Sequence, residues 1–236
     1  MKTDTAIILL SGGLDSATTL AIAANENSEL YALSFYYGQR HKKELLSARK
    51  LAKYYCVKEH KILKIDLTTF GGSALTDKKI TVPTNSLNTR HSSFVTNIPV
   101  TYVPARNIIF LSFALAYAEV KNANSIYIGA NAIDFSGYPD CRPEFFSSFM
   151  KMASVGTKRG VQGNPIKIKT PLQNLSKAQI IKKGYELKVP YELTWSCYQG
   201  KKFACGKCDS CLLRLKGFRE AGLKDPVKYE KMKPWS

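Results

Sequence analysis

Ala6-Ile7-Ile8-Leu9-Leu10-Ser11-Gly12-Gly13-Leu14-Asp15-Ser16 runs from an uninterrupted apolar stretch into two glycines flanked by hydroxyls and a carboxylate. The apolar stretch reads as a buried strand and Ser11-Gly12-Gly13 as a tight turn. Residues 16–24, apolar at Ala17, Leu20, Ile22 and Ala23, read as a helix lying on a sheet. Such a turn in a parallel sheet puts backbone N–H groups and the positive helix end at the carboxyl edge, where anions bind. Gly12 and Gly13 let backbone approach an anion, and Ser11 and Ser16 add hydroxyl donors. Asp15 would repel a phosphate unless a cation lay between them, which points to magnesium on a pyrophosphate group. The plainer alternative is a turn in which Asp15 and Ser16 only cap the helix. The loop is neither GxxxxGK[ST] nor GxGxxG, so a Walker ATPase and a dinucleotide dehydrogenase both lack their fingerprint.

Outward from this loop, residues 30–36 read as a second strand and 41–55 as a helix with Leu45, Leu46, Ala48, Leu51, Ala52 and Tyr55 on one side. Ile62, Leu63, Ile65 and Leu67 mark a third strand. Residues 68–104, broken by Gly71-Gly72, Pro83, Pro99 and Pro104, form an excursion over the carboxyl edge. A helix over 105–120, a strand at 126–128, a helix over 147–156 and a short strand at 166–168 follow. Ser176 caps a helix reaching about residue 187, and a last helix spans 212–221. Strands alternating with helices predict an α/β fold, a Rossmann-like parallel sheet with helices on both faces. Residues 1–193 are expected to form the nucleotide- and substrate-binding domain, and residues 194–236 a small C-terminal zinc-binding module.

The chain has 236 residues and a formal net charge of +17, which would draw a polyanion. The lysines are scattered, with only short groups at Lys42-Lys43, Lys182-Lys183 and Lys201-Lys202, so an anionic small substrate accounts for the charge equally well. No apolar run spans a membrane. The N-terminal apolar run breaks at Ser11 and follows an aspartate, so it reads as a strand rather than a leader, and a cytoplasmic location is expected.

Four of the six cysteines, Cys197, Cys205, Cys208 and Cys211, follow the pattern C-x7-C-x2-C-x2-C. Four thiolates so spaced suit one tetrahedral zinc, and an iron–sulfur cluster is the other metal reading. A four-thiolate site has no open position, so its metal would be structural, with Lys207 and nearby lysines offsetting its charge. Cys56 reads as a buried, inert thiol and Cys141 as loop packing.

Three further stretches look site-forming. Phe35-Tyr36-Tyr37-Gly38-Gln39-Arg40-His41 follows the second strand and presents Gln39, Arg40 and His41 to the same edge as the phosphate loop. Val103-Pro104-Ala105-Arg106-Asn107 opens a helix, where Arg106 can clamp phosphates bidentately. In Asp134-Phe135-Ser136-Gly137-Tyr138-Pro139-Asp140-Cys141-Arg142, carboxylates can accept from the N–H groups of a guanine-like ring, and arginine can meet a substrate carboxylate. Solvated loops are the plain alternative for each.

The loop at 11–16 resembles that of the N-type ATP pyrophosphatases, the adenine nucleotide alpha hydrolase-like (PP-loop) superfamily. With the three stretches and the terminal cysteines, nearly the whole chain resembles its 7-cyano-7-deazaguanine synthase family. The resemblance implies that ATP with Mg2+ adenylates 7-carboxy-7-deazaguanine and that ammonia converts it through an amide to the nitrile precursor of queuosine. ATP would lie on Leu10, Ser11, Gly12, Gly13, Leu14, Asp15, Ser16 and Arg106, with Asp15, Ser16, Arg106 and His41 in the chemistry. Gln39, Arg40, Asp134, Tyr138, Asp140 and Arg142 would hold the substrate, and one structural zinc and a homodimer are implied. No nucleophilic cysteine opens the chain, so free ammonia is expected. The rival is a tRNA-modifying PP-loop enzyme, disfavoured because Cys141 has no catalytic partner in sequence; on the leading reading no nucleic acid is required.

Overall fold

The computed structural model describes residues 4–39, 42–83, 98–133, 137–199 and 202–230. Five parallel strands, β1 (Thr5–Leu9), β2 (Glu29–Tyr36), β3 (Glu59–Lys64), β4 (Ser125–Ile128) and β5 (Lys167–Lys169), form one sheet in the order β3-β2-β1-β4-β5. Side chains alternate across central β1. Ile7 and Leu9 join one core with Leu111 and Phe146, from α3 (Arg106–Val120) and α4 (Pro143–Gly156). Ala6, Ile8 and Leu10 join the other with Leu20, Leu51, Ile180 and Phe218. These come from α1 (Leu14–Glu26), α2 (Lys43–Tyr54), α6 (Lys177–Glu186) and α7 (Asp209–Glu220). Both faces of the strand are therefore covered, which is why residues 6–10 carry no polar alternation. A short α5 (Lys158–Val161) follows α4.

The chain winds from β1 to β2 and β3, then crosses back through α3 to place β4 on the other flank of β1. The reversal opens a crevice at the carboxyl ends of β1 and β4. Gly129, just past β4, packs so tightly there that a Cβ would sit 3.1 Å from the Asp15 carbonyl and the Ser16 nitrogen.

Several expected boundaries shift. α1 begins at Leu14, because the turn itself supplies the first helical residues. β3 lies over 59–64, paired from Tyr31↔Glu59 to Tyr36↔Lys64, so Leu67 falls outside it; as an edge strand it carries little of the apolar pattern used to place it. α7 starts at Asp209 with Cys208 as its N-cap, so the helix absorbs Cys211. Cys56 is exposed rather than buried, in a left-handed turn (φ 51°) just past α2.

The last segment forms a small third cluster of the four buried cysteines with Trp195, Tyr198, Val227 and Tyr229. Arg214 of α7 ties it down. Its guanidinium pairs with Asp225 at 2.7 and 2.9 Å and donates to Thr194 Oγ1 and the Tyr191 carbonyl. Both partners of that pair are 4% exposed, so removing one would cost about 3–5 kcal/mol. No helix among the described residues is long and apolar enough to cross a membrane.

Candidate active site

A cleft of about 260 Å3 occupies the crevice between β1 and β4. The phosphate loop forms one wall and holds its own shape. Ser16 Oγ accepts from the Gly12 N–H (3.1 Å) and the Ser11 hydroxyl (3.0 Å) and donates to the Gly13 carbonyl (3.1 Å). Ser16 is thus spent on the turn. The first bond of α1 runs from Ala17 N to Gly13 O, so the helix offers no acceptor to the N–H groups of Leu14, Asp15 and Ser16. Those three donors would face an anion if one bound at this turn. Gly12, at φ 92°, admits no side chain, since a Cβ would lie 2.1 Å from the Glu44 carbonyl oxygen.

Asp15 does not stand alone. Lys177, the first residue of α6, places its ammonium 2.7 and 2.9 Å from the two carboxylate oxygens. The Ser176 capping box sets that helix start: Ser176 Oγ accepts from Gln179 N, and Gln179 Oε1 accepts from Ser176 N. Sequence reading missed Lys177, one lysine among many; its place directly after a cap residue at a helix start was the available signal.

Arg106 begins α3 behind Ala105, a non-glycine residue at φ 55°, and lines the cleft together with the loop. Burial opposes its charge, but Tyr37, Asp140, Cys141 and Tyr138 around it hold its pKa above the ordinary arginine value. Tyr138 also lines the cleft, its hydroxyl 2.7 Å from Thr101 Oγ1. Gln39 reaches the cleft with its amide engaged: Oε1 accepts from Tyr37 N and Nε2 donates to the Phe35 carbonyl.

Two expected rim residues stand behind the lining. Asp140 turns inward to accept from Asn107 N (3.0 Å) in α3, because that helix start needs an acceptor. Its buried carboxyl is raised above the usual range by desolvation. Arg142 is the N-cap residue of α4, half-buried and off the cleft surface. Arg40, His41 and Asp134 lie outside the described residues. Cys141 is buried on the cleft wall, where desolvation pushes its thiol up to about 12, unlike a nucleophile.

The cysteine module supplies another wall, with Ser196, Tyr198 and Ser210 lining the cleft next to ligand-type cysteines in sequence. The four Sγ atoms of Cys197, Cys205, Cys208 and Cys211 lie within 4.8 Å of one another, with Cys205 and Cys211 3.9 Å apart. Zn–S bonds of about 2.3 Å in a tetrahedron require sulfurs roughly 3.8 Å apart, so the cluster fits a zinc-binding module. N–H groups of Gln199, Cys205 and Cys208 point at its sulfurs, as thiolates require.

A family model described as queuosine biosynthesis protein QueC matches residues 5–222. The chain belongs to the QueC family. Two QueC relatives are each called 7-cyano-7-deazaguanine synthase. That of Picrophilus torridus is 61% identical over 95% of this chain and 91% of its own length. That of Acetivibrio thermocellus is 58% identical over 95% and 97%. A 4-thiouridine synthetase, solved as an RNA complex with bound ATP, shares the fold at a TM-score of 0.52 and 17% identity, covering 96% of this chain and 47% of that one.

Proposed function

We propose that this chain is an ATP-dependent carbon–nitrogen ligase converting 7-carboxy-7-deazaguanine and ammonia to 7-cyano-7-deazaguanine. Family membership across nearly the whole chain carries the reading. ATP adenylates the carboxylate with release of pyrophosphate, ammonia displaces AMP to give the amide, and a second ATP adenylates the amide oxygen, which leaves within AMP as the nitrogen sheds its two protons to give the nitrile.

On this reading the N–H groups of Leu14, Asp15 and Ser16 hold the departing pyrophosphate, and Lys177 and Arg106, both on the cleft, meet its charge. Asp15 would hold the Mg2+ that travels with ATP, which offsets phosphate charge. Tyr138 and Gln39, both on the cleft, would meet the substrate, a role also assigned to Arg40 and Asp134, with His41 assigned to the chemistry; Asp140 acts on Arg106 through space. Zinc on the four cysteines braces the cleft wall. A tetrathiolate site needs a reducing compartment, which supports a cytoplasmic location. Ile108, Phe113 and Val120 on α3, 43–79% exposed, support a homodimer.

The test supplies 7-carboxy-7-deazaguanine, ammonium, magnesium and ATP and follows products by mass spectrometry. AMP, pyrophosphate, a transient amide and the nitrile are expected, unchanged by RNase. Turnover of ATP only with tRNA would refute the substrate class.

A further inference from the structure

Glu44 sits in the first turn of α2, and α2 rests directly on the phosphate loop through the Gly12 contact. Glu44 lines the same cleft as Asp15 and Arg106. Asp15 is paired with Lys177, but the Glu44 carboxylate has no hydrogen bond or ion pair among the described residues. Arg106 from α3 acts on it through space, as does Cys197, and Tyr37 and Tyr198 face it. Glu44 is half-buried, and a cation arriving in the cleft would offset the cost of withdrawing a partnerless carboxylate from water.

The amide-forming step brings such a cation. At neutral pH the nitrogen source is mostly ammonium, which has no lone pair until it loses a proton. Neither Arg106 nor Lys177 can take that proton while charged, and Asp15 is engaged. We propose that Glu44 receives ammonium in the cleft and takes one proton from it, delivering ammonia to the activated carboxyl carbon. The freed lone pair forms the carbon–nitrogen bond, the bond from that carbon to the AMP oxygen breaks, and the new amide nitrogen sheds its extra proton to solvent. Desolvation pushes the Glu44 carboxyl up to about 7, a value suited to holding and releasing a proton near neutrality.

This inference rests on the function proposed above, so the experiment separates the two. Glu44→Gln keeps the shape and removes the proton acceptor. Acid-dependent exchange of pyrophosphate into ATP, measured without a nitrogen nucleophile, should stay within about twofold of the parent. Ammonium-dependent turnover should fall on the order of 10²-fold or more. Hydroxylamine, which arrives uncharged, should restore product formation as the hydroxamate. Ammonium-dependent turnover within about threefold of the parent would overturn the role, as would loss of exchange and hydroxamate alongside it. No exchange in the parent protein with 7-carboxy-7-deazaguanine would overturn the function, and the Glu44 role with it.

Discussion

Asp15 and Lys177 illustrate how a residue's meaning depends on its neighbour across the fold. In the sequence Asp15 is a carboxylate in a phosphate loop, a contradiction resolved by postulating a cation. In the fold a lysine 162 positions away supplies one, 2.7 Å distant. On the proposed function Lys177 would meet the charge of the leaving pyrophosphate, and such donors are worth about 10²–10³ in rate. Lys177→Met keeps the aliphatic stem and removes the charge. It should lower kcat on the order of 10²-fold, leave the KM for the carboxylate little changed, and preserve the circular dichroism spectrum. Steady-state kinetics check this, and a kcat within threefold of the parent would remove Lys177 from the chemistry.

Helix packing aims that lysine. α6 and α7 cross so closely at Gly217 that a Cβ there would lie 2.3 Å from Lys177 Cγ and 2.9 Å from Ile181 Cδ1. Gly217→Ala sets two effects against each other. Alanine favours the helix by about 1 kcal/mol, whereas overpacking costs about 1–3 kcal/mol. The Lys177 Cβ, also 2.9 Å away, cannot swing clear without moving the α6 backbone, so the clash wins. The variant should melt lower than the parent and lose ATP turnover together with stability, because the shift displaces the ammonium from Asp15. Thermal melts beside turnover assays test this, and a variant that melts higher at full turnover would contradict the packing.

At the scale of the molecule, the cysteine cluster joins the tail to the site. Trp195 N donates to the Gly12 carbonyl, Lys43 lies 4.2 Å from the Trp195 ring, and Ser196 and Tyr198 face the cleft on either side of Cys197. Metal that binds only the folded chain adds to its stability. The parent should hold about one zinc per chain, and Cys208→Ser should lose metal and melt at lower temperature. Elemental analysis and calorimetry decide, and a zinc-free parent or an equally heat-stable variant would refute a structural zinc.

Local chemistry by itself determined a good deal. The 6–16 stretch specified strand, turn and helix because burial on both faces and an anion-binding turn leave signatures within a dozen residues. The four cysteines announced a metal module because ligand spacing is a property of the chain. Ser176 marked its helix start for the same reason. Tertiary structure alone decided which side chains share the cleft. Glu44, Lys177 and Tyr198 come from three distant segments, and the local signals beside them, a helix start at Ser176 and a ligand-type cysteine at Cys197, do not say that they share one cleft. Asp140, so plausible as a rim residue, turned inward because the start of α3 needed an acceptor for the Asn107 N–H. Hydrogen-bond satisfaction and close packing are settled between elements, so they become legible only once the sheet has brought those elements together.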